Sequence, residues 1–514
     1  MIASSLSLRN VFRRYLSSGL PSDVVISVDR SRLLGMRRGV IPVISDADTA
    51  ATLQAQRELR AAVGDSVVSI DGGIGPVLPL TTPLQSLIQS SILARGPLSV
   101  ADFMSLALGH PLFGYYKTRE AIGVRGDFIT SPEISQLFGD LVGLWVISTL
   151  SALKSNAPVL PPWSLIELGP GRGTLTLDIL RLISRFPSFA KALTVIRLVE
   201  TSPRMRDAQA TALGVILSPQ ALVTDAPRGI CGPDTPLPGV IVEWYDEIKN
   251  IPNDDTTTTT TTTPILIAHE LFDALPIHQF VRRPEGWQEL LVDVVENKED
   301  ALRNVIASGP TAASIAFTTW LGSDEGKAHS VQTRPSSWQE GEGGEGRVLR
   351  GGGGNGTVGD VAEFCPIGLA LAAEMSRRVA AHRGAALIID YGREGASHLS
   401  VRGIAGHRFV DFLSAPGHVD LSADVDFTAL SMAAVGGGGG AVTVLGPVAQ
   451  GEFLQRMGLA ARLARAVNAK PEEKERLEME AKRLAHPDEM GGVYKAVAIV
   501  HSDVANAVPG FGEV

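Results

Sequence analysis

Between residues 165 and 174 the sequence runs LIELGPGRGT, with glycine at three alternate positions, Gly169, Gly171 and Gly173, and an acid, Glu167, two residues ahead of the first. Glycines so spaced leave one edge of a loop without Cβ atoms. A ligand can then approach the main chain closely, and left-handed φ is tolerated. Trp163 to Leu168 is a short apolar run suited to a buried strand. After Gly173 the apolar residues Leu175, Ile179, Leu182, Ile183 and Phe186 recur at helical spacing, and Pro187 stops them. Strand, glycine turn, helix is an arrangement that aims main-chain N–H groups and a helix N-terminus at whatever the turn holds. The next strand, LTVIRLVE, ends in a second acid, Glu200, at the position where a carboxylate can take hydrogen bonds from sugar hydroxyls.

Two cofactor classes use such turns. A dinucleotide fingerprint needs G-x-G-x-x-G, whereas Gly169, Gly171 and Gly173 make G-x-G-x-G. With Glu167 before it, the pattern resembles motif I of the S-adenosylmethionine (SAM) methyltransferases. That resemblance implies Glu167 near the cofactor's amino group and sulfonium, and Glu200 on its two ribose hydroxyls. An ordinary βα loop is the alternative.

These residues need a sheet to carry them. Apolar runs at 164–168, 194–200, 239–244, 264–269 and 385–390 alternate with helical periodicity. This predicts an α/β fold with a Rossmann-like, doubly wound parallel sheet that binds ligand at the carboxyl ends of its strands. HQFVRRPEGWQELLVDV, with a turn at Pro284-Glu285-Gly286, reads as a β-hairpin inserted after the fourth strand, and VYKAVAIV as a last strand. Ahead of the sheet, residues 81–160 form a helical N-terminal cap: Leu84, Leu87, Ile88 and Ile92 make one helix face, Ser99 with Asp102 resembles a capping box for a second helix, and Ile134, Leu137, Phe138, Leu141 and Trp145 line a third. The methyltransferase domain spans 161–501. Low-complexity insertions at 252–263 (with eight threonines), 322–360 and 436–440 (a glycine run) read as flexible loops.

The whole chain has 514 residues, 44% of them hydrophobic, and a net charge of −9 without basic blocks beyond the first forty residues, which argues against a nucleic-acid partner. No apolar run approaches the length of a membrane span. The two cysteines, Cys231 and Cys365, form no C-x-x-C, so neither a disulfide framework nor a metal site is indicated. Residues 1–22 contain Arg9, Arg13 and Arg14, six serines and no acid, with Leu8, Val11, Phe12 and Tyr15 on one helical face. This matches a mitochondrial transit peptide. Residues 23–80 carry no assignable pattern.

Four stretches in order, GDFITSPEISQLFG (126–139), IELGPGRGTL (166–175), AHELFDALP (268–276) and HVDLSADVDF (418–427), resemble the MidA family. These are mitochondrial methyltransferases that assist assembly of respiratory complex I, and bacterial relatives share the pattern. The resemblance spans roughly Pro83 to His501 apart from the insertions. It implies a class I SAM-dependent methyltransferase that symmetrically dimethylates an arginine on an iron–sulfur core subunit of complex I, in the mitochondrial matrix. A non-catalytic, SAM-binding assembly chaperone, a small-molecule methyltransferase and a nicotinamide-dependent oxidoreductase are the rival readings.

The residues suit that chemistry. A guanidinium is cationic and delocalised, so its nucleophilic nitrogen must be oriented, and carboxylates do this by fork-like hydrogen bonds. Glu270 and Asp273 lie three apart after the strand PILIAH. In a helical turn both would face one side, and one could take the departing proton. They are the expected catalytic pair, although first-turn helix capping also accounts for them. Glu133 follows Ser131-Pro132, where a helix N-terminus alone would explain it; the family match suggests instead that its element closes over the cofactor. Asp127 carries the same ambiguity. Asp246, with Glu247, is a candidate for the adenine amino group or a solvated loop acid. His269 is expected to pack. Asp390 could face the acceptor, and a polar turn accounts for Asp420, Asp424 and Asp426 as well as function does.

Overall fold

A computed structural model describes residues 81–118, 129–154, 159–218, 227–252, 262–295, 301–323, 358–395 and 398–512. The expected transit peptide, residues 23–80, Asp127 and most of the two longer insertions lie outside these residues. The helices that matter for the site are α1 (Pro83–Arg95), α2 (Val100–Gly109), α3 (Gln136–Lys154), α4 (Thr174–Ile183), α5 (Pro203–Ala212), α6 (Ala312–Gly322), α7 (Pro366–His382) and α8 (Phe427–Gly438). The strands are β1 (Trp163–Leu168), β2 (Leu193–Val199), β3 (Ile241–Tyr245), β4 (Thr263–His269), β5 (His278–Arg283), β6 (Gly286–Val294), β7 (Ala385–Arg393), β8 (Val442–Ala449) and β9 (Tyr494–His501).

The main sheet runs β8-β9-β7-β4-β1-β2-β3, with Arg228–Cys231 and Val215–Leu217 continuing its edge. β7, β4, β1, β2 and β3 are mutually parallel. β9 is antiparallel, slotted between β7 and β8. The chain winds one way from β1 through β2 to β3, then returns to place β4 on the other side of β1. This reversal opens the crevice where doubly wound folds bind ligand. β1 and β4 are buried along their whole length and are largely apolar because helices cover both of their faces. Alternate residues sort between those faces: Leu165, Ile267 and Leu387 pack against α3 and α4, while Ile166, Leu266 and Ile388 pack against α7 and α8.

Four features differ from the sequence expectation. Helix α3, grouped by sequence with the N-terminal cap, buries Leu137 through Leu153 in the main core; α1 and α2 instead pack on a small sheet of Arg402–Ala405, Arg408–Val410 and Asp420–Ser422. Among the described residues α3 is also the one helix long and apolar enough to cross a membrane, and most of it is buried in the protein interior. The glycine run at 436–440 is no loose loop. α8 extends through Gly438, and a Cβ on Gly437 would lie 2.5 Å from the Ala373 carbonyl oxygen of α7, so glycine lets the two helices approach. At the edges of the other insertions, Thr263 is a buried residue of β4 whose N–H meets the Pro162 carbonyl at 2.9 Å, and the Asp360 carbonyl takes the Arg282 N–H at 2.7 Å. Finally, β8 was not anticipated, nor the antiparallel sense of β9.

The hairpin β5–β6 turns at Pro284-Glu285 as expected, with Arg283 opposite Gly286. Val361–Phe364, Leu302–Ile306 and Leu98–Ser99 widen it into a five-stranded sheet packed on α6. The expected cap of α2 also forms: the Ser99 hydroxyl takes the Asp102 N–H at 2.9 Å and donates to the Asp102 carboxylate at 2.8 Å.

Candidate functional site

The glycine turn sits at the carboxyl end of β1, beside the reversal point. Gly169, Gly171 and Gly173 take φ of +65, +51 and +84, all left-handed. Gly173 caps α4, so the helix N-terminus faces the crevice. Glu167 is buried, accepts the Thr176 hydroxyl, and is pushed up to about 7 by loss of solvent. Glu133, in the helical turn Ser131–Ile134, accepts the Thr174 hydroxyl at 2.5 Å, which joins that turn to the start of α4.

Glu200 ends β2. One carboxylate oxygen accepts the Ser202 N–H at 2.7 Å, and the other lies 3.4 Å from the Gln209 side-chain nitrogen. Burial raises its pKa. Gln209, on α5, also donates to the Gly171 carbonyl at 2.7 Å and accepts the Trp244 indole N–H at 2.8 Å, tying the glycine turn to β2 and β3. The Ser202 hydroxyl beside Glu200 is buried without a hydrogen-bond partner. Asp246 follows β3 with an exposed carboxylate, one oxygen of which pairs with Arg206 at 2.7 Å. Arg206 donates in turn to the Glu200 carbonyl at 2.8 Å. Left-handed glycines at a helix N-terminus, a strand-end acid and an orphaned hydroxyl next to it fit a nucleoside-type cofactor.

Across the crevice, the chain leaving β4 carries Glu270 with a left-handed φ of +49, unusual for any residue but glycine. Its N–H donates to the Ile389 carbonyl at 3.0 Å. Its carboxylate accepts the Ser131 N–H at 3.2 Å and lies 3.3 Å from His269 Nε2. Burial holds His269 down near 3, so this is a neutral contact and supplies no counter-charge. Burial, reinforced by Asp273, pushes Glu270 up to about 8. Phe272–Ala274 forms a short helical turn, which brings Asp273 to the same side. The Asp273 carboxyl is bordered by Tyr391, Arg402 and Ser422, and burial raises it. Asp273 Oδ1 and the Tyr391 and Ser422 hydroxyls are buried with no completed hydrogen bond. Loop and turn are in contact: a Cβ on Gly169 would reach 2.8 Å from the Leu271 side chain.

The remaining acids divide. Asp390, fully buried, turns its carboxylate back onto the main chain of 271–273 rather than toward an acceptor. Asp420 takes the Tyr116 hydroxyl at 3.0 Å and borders Asp273's surroundings through that tyrosine. Asp424 is a hub met by Arg393, His398 and Arg402, and His398 and Arg402 hold its pKa below the usual carboxylate range despite burial. Asp426 caps α8 through the Thr428 and Ala429 N–H groups. Glu247 pairs with Lys249. Tyr116, Tyr391, Tyr494, Arg402 and Gln209 had no sequence signal of their own; Ser131 read only as a helix start, and it lies just after the capping Thr130, with its N–H on Glu270. Tyr391 and Tyr494 meet only because β9 runs antiparallel beside β7, their rings 5.4 Å apart. Among the described residues no His, Cys, Asp and Glu group is placed to hold a metal ion.

The strand order and the glycine turn at its reversal point define the class: a doubly wound methyltransferase that uses S-adenosylmethionine. Two crystal structures from Burkholderia thailandensis share the fold. One is of a likely methyl transferase bound to S-adenosyl-homocysteine (20% identity, 85% of this chain, 97% of that chain, TM-score 0.59). The other is of an uncharacterised protein (22%, 85%, 98%, TM-score 0.61). Residues 141–448 match the family described as putative S-adenosyl-L-methionine-dependent methyltransferase, and the chain belongs to that family, the MidA family its motifs resemble. Curated relatives include the protein arginine methyltransferase NDUFAF7, mitochondrial, of Mus musculus, 36% identical over 422 residues (82% of this chain, 84% of the relative). The Homo sapiens protein of the same name is 34% identical (83% and 84%), and the Drosophila melanogaster homolog 34% (81% and 84%).

Proposed function

We propose that this chain methylates a protein arginine in the mitochondrial matrix, symmetrically dimethylating an iron–sulfur core subunit of respiratory complex I. One observation carries the reading: Glu270, Asp273 and Asp390 are three buried acids packed together beside the glycine turn, each raised by the loss of solvent, with no positive charge on the Glu270 side. Like charges so buried call for a cation or for protons. A guanidinium supplies the cation and, after reaction, the proton. The names of the curated relatives and the family resemblance support the arginine acceptor and the compartment.

In this reading Gly169, Gly171 and Gly173 cradle the cofactor on bare main chain, Glu200 takes its ribose hydroxyls, and Glu167, Glu133 and Asp246 line the rest of its site. Bound S-adenosylmethionine supplies an electrophilic methyl group on its sulfonium. Glu270 and Asp273 accept N–H bonds from the guanidinium and turn one nitrogen toward that methyl group. The cationic acceptor binds Glu270 as its ionised carboxylate, and the raised proton affinity that burial gives this carboxylate lets it accept the proton the guanidinium loses after transfer. The hydrophobic wall of β4 and β7 keeps the acids dry, which strengthens their hold on a cation.

The test is complex I from cells whose only copy of the protein is Glu270→Gln. Loss of one electrostatic contact of this type lowers rate on the order of 10²–10³. The iron–sulfur subunit should then lack dimethylarginine by mass spectrometry while the variant stays abundant and binds S-adenosylmethionine. A fully dimethylated subunit would refute the role of Glu270. Import of a fluorescent fusion of residues 1–30 checks the compartment.

A further inference from the structure

We propose that Asp390 is a positioning residue for methyl transfer, holding the loop that carries Glu270 and Asp273 in the shape the acceptor requires. This rests on the assignment of those two acids to the acceptor guanidinium. Asp390 lies inside β7, next to the strand that launches the loop, and no part of it reaches solvent. One oxygen accepts the N–H groups of Leu271 at 3.0 Å, Phe272 at 2.8 Å and Asp273 at 3.4 Å. The other accepts the Tyr391 N–H at 2.9 Å. Four main-chain donors thus converge on one side chain, and three belong to consecutive loop residues.

The same loop is tied to β7 just upstream by the Glu270 N–H on Ile389, and downstream by the Asp273 carbonyl, which takes the Ala423 N–H at 2.9 Å. Between these ties Glu270 stands at φ +49. A non-glycine residue keeps such a conformation only when its surroundings over-determine it. Leu271 resumes a negative φ of −122, so the backbone reverses hand within one step of the Asp390 contacts. That reversal throws the Glu270 side chain toward Ser131 and leaves Asp273 on the next turn of the chain.

The choice of a carboxylate here is itself informative. Capping a loop needs only an acceptor, which serine or asparagine provides. Aspartate places a third acid against Glu270 and Asp273, and each raises its pKa after burial has done so. The return is acceptor capacity. A carboxylate offers two oxygens with no donor of its own, which four N–H groups require. Asparagine would turn an NH₂ toward one of them. The loop is therefore held at the expense of local electrostatics, as expected where geometry matters more than stability.

The experiment compares the purified full chain with Asp390→Asn and Asp390→Ala, each alone and combined with Glu270→Gln. Cofactor affinity is read by calorimetric titration with S-adenosyl-homocysteine, and kcat and KM are read with the complex I iron–sulfur subunit as acceptor. Because about 1 Å of misplacement costs on the order of 100-fold, Asp390→Ala should lower kcat about 100-fold and Asp390→Asn about 10-fold, with cofactor affinity held within about twofold. Within Glu270→Gln the same Ala substitution should lower kcat by no more than about threefold, since Asp390 acts through the acids. If Asp390→Ala leaves kcat intact while Glu270→Gln loses it, or if its loss is equal in both backgrounds, Asp390 does not position the pair. If Asp390→Ala loses the cofactor as well, Asp390→Asn carries the comparison. If Glu270→Gln is itself fully active, it is the assignment of the acceptor acids that fails.

Discussion

Glu270→Gln should make the protein more stable at alkaline pH while removing its activity. The side chain titrates near 4.5 as an ordinary glutamate and near 8 in the folded chain, because burial and Asp273 both oppose its charge. Between those values the native state holds a proton that the unfolded chain has released, so stability falls as pH rises from about 4.5 and levels off above about 8. The full gap corresponds to about 5 kcal/mol, and about 4 kcal/mol of it has developed by pH 7.5. Glutamine keeps an oxygen for the Ser131 N–H and does not ionise. The two remaining acids, relieved of a neighbour, ionise more readily and return part of the gain. We expect the variant to exceed wild type by about 2–4 kcal/mol at pH 8.5 and by about 1 kcal/mol or less at pH 5. Urea denaturation followed by tryptophan fluorescence at both pH values, without cofactor, measures the difference as a shift in midpoint at constant slope. A variant no more stable than wild type at pH 8.5, or a gain independent of pH, would refute the account of Glu270 as a buried acid awaiting a cation.

Three further outcomes are expected. Gly171→Val forces a β-branched residue to φ +51, a cost of about 1–2 kcal/mol or more in a left-handed conformation, and should weaken S-adenosyl-homocysteine binding at least tenfold by calorimetry; unchanged affinity would remove the turn from the site. Gln209→Leu deletes the donor shared by Gly171 and Glu200; at about 1–1.5 kcal/mol per hydrogen bond, affinity should fall roughly tenfold with little change in acceptor KM. Gly437→Leu drives a side chain into the Ala373 carbonyl and should destabilise by about 1–3 kcal/mol in the same urea assay, whereas a flexible glycine run would tolerate it without a shift.

The parallel strands and the glycine turn were legible because each is a local pattern. β1 and β4 are buried along their whole length, so they appear as largely apolar runs, and three left-handed residues at alternate positions leave glycine as the natural residue. The hairpin announced itself by alternation around a turn. What escaped were features defined by distant partners. Gly437 and Gly438 look like a linker until α7 is known to lie against them. α3 looks like a continuation of the preceding helices until the sheet core is known to need a cover. Tyr391 and Tyr494 are 103 positions apart in number and meet only through the antiparallel register of β9.

Asp390 shows why the site was harder than the fold. A sequence reveals that an acid ends a strand, and such acids face the crevice often enough that Asp390, Glu200 and Asp273 look alike. Their roles separate by direction alone. Glu200 meets one main-chain N–H and keeps an oxygen near the turn; Asp390 meets four and keeps none. Asp273 meets neighbours that leave its Oδ1 and two hydroxyls without partners. An acid that satisfies main-chain donors completely has nothing left for a ligand, and one that leaves buried acceptors open does. By that measure the open positions lie around Asp273 and Glu270. Asp273 already faces Arg402, so the missing positive charge is at Glu270, and there the geometry favours a cationic side chain over a neutral small molecule.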